Sequence, residues 1–416
     1  MNAGTLQTNC CIAGGGPAGI MLGFLLARAG VRTVVLERHK DFFRDFRGDT
    51  IHPSTLQIMH ELGLLDAFLR LPHQKVQSLR GLVGDTEVQL ADFSHLPTVC
   101  KFIALMPQWD FLNFLTEQGR RYPGFDLHME TDATDLLVKA DRVVGLRANS
   151  PAGPIEIHAD LVVGADGRHS TIRERAGFAV TNLGAPMDVL WMRLSRRADD
   201  PEQTGGFINY GHLLVTLNRG DYWQCAFVIR KDGYDMVRAR GLDAFRAEIA
   251  RLAPYLADRV QQLKGWDDIK LLTVVVDRLE QWWRPGLLCI GDAAHAMSPI
   301  GGVGVNLAVQ DAVAAANILA VPLRNGRLTT DDLAAVQRRR TLPMKVIQAI
   351  QIGVQSRVID PLLDSEKPIT APWAVTLFNR FPVLRRIPAR IVGIGVRPEH
   401  VHSPQLNKPV GALAQS

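Results

Sequence analysis

Cys10-Cys11-Ile12-Ala13-Gly14-Gly15-Gly16-Pro17-Ala18-Gly19, followed by Ile20 to Gly30 and then Thr33-Val34-Val35-Leu36-Glu37, is the stretch that decides the fold. The apolar run from Cys10 reads as a buried strand, the glycine-rich hexapeptide as a tight turn, Ile20 to Gly30 as a helix, and Thr33 to Leu36 as a second buried strand. A dinucleotide site needs this order of elements. Gly14 permits the turn, Gly16 lets a pyrophosphate approach the backbone, and Gly19 lets helix and strand pack closely, with Gly15, Pro17 and Ala18 completing the bend. Glu37, about twenty residues on, can accept from an adenosine ribose hydroxyl and is followed by Arg38. Without a ligand the same residues would be a glycine-rich strand–helix turn, but the terminal acid favours the dinucleotide.

A second stretch lies some 270 residues downstream. Gly291-Asp292-Ala293-Ala294-His295-Ala296-Met297-Ser298-Pro299, then Gly301-Gly302-Val303-Gly304-Val305-Asn306, sets a carboxylate and a proline turn before a glycine loop that runs into a long apolar helix. Such a loop leaves backbone N–H groups unpaired at a helix N-terminus, where the macrodipole favours negative charge. Something anionic or electron-rich is expected there.

Composition narrows the class. The 416 residues are 47% hydrophobic and 21% charged, ordinary for a folded soluble chain of one or two domains. The net charge of +5 comes from dispersed basic residues with short clusters at Arg338-Arg339-Arg340 and Arg385-Arg386, not from a basic stripe interleaved with aromatics. Nucleic acid is therefore not expected as a partner. The five cysteines form no metal-ligand spacing and read as buried thiols of a reducing, cytoplasmic compartment; no metal is expected. The first nine residues lack the pattern of a signal peptide. Cys10 to Ala27 runs eighteen residues without a charge, yet Pro17 and its glycines make it a poor membrane span, so no integral membrane segment is expected.

Along the chain, Val76 to Asp92 reads as a hairpin around Gly84-Asp85, and Pro107-Gln108 opens an amphipathic helix. Leu161 to Val163 ends at Gly164-Ala165-Asp166-Gly167. From about Asn182 long alternating segments replace short buried ones, which argues an antiparallel sheet. Leu287 to Ile290 returns to the buried-strand style and delivers Asp292 at its end. The expected fold is mixed α/β (α+β): a discontinuous Rossmann-like cofactor domain (1–75, 97–181 and 277–325), an inserted antiparallel-sheet substrate domain (76–96 and 182–276), and a helical C-terminal region (326–416). In open sheets of this kind ligands gather at the carboxyl ends of the parallel strands, where the glycine turn, Asp166 and Asp292 all fall.

Taken together, the three motifs resemble those of the class A flavoprotein monooxygenases of the para-hydroxybenzoate hydroxylase fold, over Cys10 to Arg47, Pro107 to Glu117, Asp160 to Arg175 and Gly286 to Leu319. The resemblance implies FAD, with its pyrophosphate along the Gly14 to Gly19 turn and its adenosine ribose on Glu37. It implies Arg47 and Gln108 near the phosphate and ribityl regions, and Asp166-Gly167 as a fingerprint for both FAD and a reduced nicotinamide nucleotide. Asp292 would bond a ribityl hydroxyl, Gly302, Gly304, Val305 and Asn306 would face the pyrimidine end of the flavin, and the Pro299 carbonyl would border the reacting ring. Only one dinucleotide fingerprint is present, which agrees with a family in which NADH or NADPH docks transiently. The implied reaction is hydroxylation of a small aromatic, phenol-like substrate by O2 through a C4a-hydroperoxyflavin.

Simpler readings stand beside these. Asp292 and Asp166 could each be a helix N-cap, and His295 is expected to satisfy a structural hydrogen bond. In the middle sheet Trp191, Tyr210, His212, Tyr222, Trp223 and Gln224 are the aromatic and polar candidates to meet substrate, Tyr210 and Trp223 foremost, although aromatics are favoured in strands for packing alone. The apolar tail stretches are expected to cover the cleft or a homodimer face. Other flavin chemistry on the same fold, such as epoxidation or oxidative decarboxylation, and a catalytically silent flavin-binding protein are the alternatives. No single side chain is singled out as a catalytic base.

Overall fold

The computed structural model describes residues 4–43, 49–202, 204–363, 369 and 373–406. Its first sheet is built on five parallel strands in the order Leu287–Cys289, Gly153–Gly164, Gly4–Ala13, Thr33–Leu36 and Phe125–His128. Register aligns their ends. Ala13 lies opposite both Gly164 and Leu36, and Gly164 opposite Cys289. The turns that follow these strands therefore open on one edge, although they come from positions 14, 37, 165 and 290 of the chain.

Both faces of this sheet are covered, as parallel sheets require. The helix Pro17–Arg28, buried at ten of its twelve positions, packs against the helix Gly304–Arg324. The latter, with the turn at Ile300 before it, is long and apolar enough to cross a membrane by composition, yet 83% of that window is buried inside the protein, so it is a core helix. A hairpin, Asp132–Lys139 with Arg142–Ser150, extends the sheet through Gly153–Gly164.

The second sheet has seven strands, ordered Lys270–Leu272, Met187–Ser195, Tyr222–Arg230, His212–Asn218, Gly205–Asn209, Ser78–Val83 and Thr86–Asp92. The hairpin expected around Gly84 is present and joins this sheet by pairing Ser78–Val83 with Gly205–Asn209. That one junction is parallel, a departure from the all-antiparallel expectation. It arises because the hairpin comes from a remote segment and is not a neighbour in a meander.

Side-chain parity gives the second sheet two faces. Leu190, Met192, Leu194, Leu214, Trp223, Cys225 and Phe227 point to a core closed by the helix Leu242–Leu252. Val189, Trp191, Val215, Ala226 and Val228 point the other way, against Ile300 and the end of the helix Thr330–Val354. The C-terminal region is only partly helical. After Ile394 it runs back as an extended strap over the first helix, where Arg28 Nη1 donates to Ser403 O at 2.9 Å and Leu406 N–H to Arg28 O at 3.1 Å.

Candidate active site

At the first turn Gly14 sits at φ +110°, and a Cβ there would stand 2.3 Å from Ala165 O. A Cβ on Gly19 would be 1.9 Å from Gly14 O, so both positions exclude any side chain. Gly16 differs. Its backbone is extended, and a Cβ would meet nothing within 4 Å. The open side of the turn is therefore at the residue assigned to the pyrophosphate, and Pro17 starts the helix behind it.

Glu37 lies beside this turn, its carboxylate already engaged by protein. Gly15 N–H donates to Oε2 at 3.2 Å, and the His39 N–H and ring Nδ1 donate to Oε1 at 3.0 and 2.6 Å. A basin of about 580 Å³ opens beyond it, lined by Arg38, His39, Lys40, Glu130, Asp132 and Asn149. Arg47 lies outside the described residues.

Asp166 supports the first turn of a helix whose N-cap is Ser170. Ser170 Oγ donates to its Oδ1 at 2.5 Å and Ile172 N–H to its Oδ2 at 3.1 Å, at the start of Thr171–Arg175. Burial raises its pKa against the pull of these bonds. Gly167 follows at φ +87° with open space at its Cα. Arg173 of the same helix reaches Asp277, which in turn accepts from Ala296 N–H at 3.2 Å, so the second motif is tied to the third.

Asp292 caps nothing. Its side chain is 34% exposed and faces the Arg168 guanidinium at 3.7 Å. The turn that carries it rests on the first helix, since a Cβ on Gly291 would be 3.1 Å from Ala18 Cβ. A buried ionic network holds the turn in place. Asp311 Oδ2 accepts from Gly291 N–H at 3.1 Å and His295 Nε2 at 2.6 Å, and Arg340 Nε donates to Asp311 Oδ1 at 2.8 Å and Nη1 to Glu399 Oε1 at 3.2 Å. Burial pushes the Asp311 carboxyl up, but His295 and Arg340 outweigh it and hold it below the usual range. His295 thus has the structural role its sequence context suggested.

The glycine loop turns through Gly301 and Gly302, both at positive φ. Pro299 O accepts from Gly302 N–H at 3.0 Å, and Leu307 N–H returns to Val303 O, so the amides of Gly304, Val305 and Asn306 form the open first turn of the helix. The Asn306 side chain does not face the open side. Its Oδ1 accepts from His52 N–H at 2.9 Å and Thr55 Oγ1 at 2.7 Å, and its Nδ2 donates to Thr50 O, which clamps the 50–55 segment to the loop. Only its backbone is left for a ligand.

His52 behind this clamp is fully buried and donates from Nδ1 to Val392 O at 2.7 Å. Burial lowers its pKa to about 4. A folded pKa below the unfolded value means the unfolded chain binds the proton first, so stability is lost as the pH falls from about 6.5 to about 4. The expected loss is on the order of 2–3 kcal/mol from this residue. A urea midpoint measured at pH 7.5 and 4.5 checks it; a fall as large in His52→Gln as in the wild type would contradict the assignment, since only the share of His212, lowered likewise to about 4 by burial, should remain.

Gln108 opens the helix Gln108–Arg120, and Trp109 and Pro107 beside it meet the second sheet. A polar cluster absent from the sequence reading lies at this seam. Asp49 and Arg219 pair at 2.5 Å, both nearly buried, Arg219 Nε donates to Gln224 Oε1 at 3.0 Å, and the Arg193 guanidinium lies 4.9 Å from the Tyr222 ring centre. Burial raises the Asp49 pKa, with Arg219 the main opposing pull.

Three substrate candidates need correction. Trp223 is fully buried on the helix-covered face, its Nε1 donating to Asp200 at 2.8 Å and its ring packed on Tyr255. Tyr210 lies in a turn on the same side, under the Arg251 guanidinium. Strand parity explains Trp223, since Tyr222 and Gln224 alternate with it and face the seam; Tyr210 belongs to the turn between Gly205–Asn209 and His212–Asn218 and owes its direction to that turn. His212, beside Phe227 and Glu248, also belongs to the helix side. Among the described residues no group of three or more His, Cys, Asp or Glu comes together in a form that could hold a metal.

Comparison with known proteins gives the family. A family model described as an FAD binding domain matches residues 7–349. A 6-methylpretetramide 4-monooxygenase of Streptomyces rimosus is 33% identical over 392 residues, which cover 92% of each chain. A 12-dehydrotetracycline 5-monooxygenase/anhydrotetracycline 6-monooxygenase of the same species is 30% identical over 74% of this chain but only 61% of its own length. Among solved structures, PqsL, a probable FAD-dependent monooxygenase from Pseudomonas aeruginosa, superposes with a TM-score of 0.74 at 23% identity, covering 86% of this chain and 98% of that one.

Proposed function

The chain belongs to the FAD-binding-domain family of flavoprotein monooxygenases, and on that premise we propose that it hydroxylates a phenol-like aromatic ring, taking electrons from NADH or NADPH and oxygen from O2. The observation that carries the reading is the meeting, at one edge of the parallel sheet, of the Gly14–Gly19 turn, Asp166-Gly167 and the Asp292 turn, with Ile300, just before the glycine loop, packed on the Val189 and Trp191 face of the second sheet. Segments 1–75, 97–181 and 277–325 are assigned to the cofactor side, and 76–96 and 182–276 to the substrate side.

The donor set fits FAD. Gly16 leaves a gap where a pyrophosphate can lie against the backbone, and Glu37 stands at the end of the second strand beside the same turn, held to it through Gly15 N–H. Asp292, about a third exposed and anchored from behind through Gly291, can accept from a ribityl hydroxyl. The unpaired amides at the start of Gly304–Arg324 add partial positive charge where reduction places negative charge. Bound FAD would supply the hydride acceptance and the activation of O2. The protein's share is to orient the ring and exclude water. Tyr222, Gln224 and Trp191 supply the aromatic and polar wall, while Asp49 and Arg219 give the seam a buried charged pair.

The test is NADH and NADPH oxidation by the purified, FAD-loaded protein across a panel of phenols and polycyclic aromatics. Substrate-accelerated oxidation with formation of an oxygenated product is expected. Retention of FAD with no substrate-stimulated oxidation across the panel would overturn the reading and favour a silent flavin-binding protein.

A further inference from the structure

We propose that Gln351 is a positioning residue that fixes the Ser298-Pro299-Ile300 loop and thereby couples oxygen activation to hydroxylation; the proposal rests on the monooxygenase reading above. The helix Thr330–Val354 and the turn after it present Gln348, Gln351 and Gln355 on one face, at spacings of three and four, and all three are buried. Gln351 uses its whole amide on one short segment. Its Oε1 accepts from Ser298 N–H at 3.2 Å, and its Nε2 donates to Ser298 O and Ile300 O, both at 2.9 Å. Gln355 Nε2 adds a bond to Ser298 Oγ at 2.9 Å, and Gln348 Nε2 holds Asp277 O and Ala296 O.

This loop has no strand partner, so side chains do for it what a neighbouring strand would do. Packing alone would be met by Leu or Met. A buried carboxamide with both donors and its acceptor engaged sets position as well as filling space. The position matters because the loop touches both halves of the site. Ile300 packs on the Val189 and Trp191 face of the second sheet, while Gly301 and Gly302 lead directly into the helix at Gly304. A shift of the loop moves the two halves relative to each other.

The consequence is a partition between two balanced outcomes. In the coupled reaction ArH, O2, NAD(P)H and H+ give ArOH, H2O and NAD(P)+. In the uncoupled one O2, NAD(P)H and H+ give H2O2 and NAD(P)+. Misplacing reacting atoms by about 1 Å can cost about a hundredfold in rate, and a loosened loop should cost hydroxylation more than reduction.

Gln351→Met removes the donors and the acceptor at near-constant volume. The expected result is about a tenfold rise in the ratio of H2O2 to hydroxylated product, with a fall in product kcat larger than any change in KM and with FAD still bound. Gln351→Glu, which keeps the acceptor for Ser298 N–H but turns an anion on two carbonyls, is expected to uncouple at least as strongly. A lowered melting temperature with an unchanged ratio would overturn the proposal and leave Gln351 a merely structural residue. If Gln351→Met does not fold, Gln355→Met is read in the same way, since it removes one bond to the same loop. If the wild type hydroxylates nothing, the function reading fails and the coupling role falls with it, while the positioning of the loop by Gln351 is still decided by the visible spectrum of bound FAD. A displaced loop should shift the spectrum in Gln351→Met, and an identical spectrum would overturn the inference.

Discussion

A Gly16→Val variant is expected to fold as the wild type does and to bind FAD about ten- to a hundredfold more weakly, from the 1–3 kcal/mol that overpacking a close contact costs. The two halves of that statement have separate causes. Gly16 has an extended backbone that valine adopts readily, and its Cβ would meet no protein atom within 4 Å beyond its chain neighbours, so neither the backbone nor the Cβ position opposes the change. The same empty space is where a pyrophosphate would lie. Gly14 and Gly19 cannot make this separation, because a Cβ at either would strike backbone oxygen at 2.3 or 1.9 Å. Thermal unfolding of the apo-protein and fluorescence titration with FAD together check the result. A variant that binds FAD like the wild type would show that the turn is not the phosphate cradle.

Arg340→Met is expected to lower stability by about 3–5 kcal/mol, the usual cost of removing one partner from a buried ion pair. Arg340 is fully buried and serves two carboxylates, Asp311 and Glu399, which come from the core helix and the C-terminal strap. Its loss leaves Asp311 with His295 as its remaining charged partner and Glu399 with Arg339, at a buried site. Asp311 also holds Gly291 N–H and His295, so the turn that carries Asp292 should loosen and FAD affinity should fall with stability. Urea unfolding of the variant measures the first effect. In the double variant Arg340→Met/Asp311→Asn part of the loss should be recovered, since one of the stranded charges is gone. A cost below about 1 kcal/mol would mean that the network is solvated in a way its burial does not suggest.

Much of the fold was legible because its signals are local. The strand, turn, helix and acid from Cys10 to Glu37 are contiguous, and the change from buried runs to alternating segments near Asn182 marks where one sheet gives way to another. The expected meeting of remote motifs followed from a rule about strand ends, and the register bears on it directly. The parts that sequence left open depend on pairing between distant single residues. Asp49, Arg193 and Arg219 are unremarkable charges until two sheets bring them together. Asn306 was read as facing the flavin, but the arrival of the 50–55 segment turns its side chain inward. Trp223 could have been excluded by parity with Tyr222 and Gln224, had the sheet's covered face been known. The glutamines at 348, 351 and 355 form a visible stripe, yet nothing in the stripe says which loop it grips.

The central claim is that chain segments hundreds of residues apart form one cradle for a single FAD. The most direct measurement is the visible absorption spectrum of the purified protein, followed by quantification of the chromophore released on heating. A yellow protein that releases close to one equivalent of FAD is the outcome expected; a colourless preparation that remains colourless after incubation with excess FAD and desalting would contradict it.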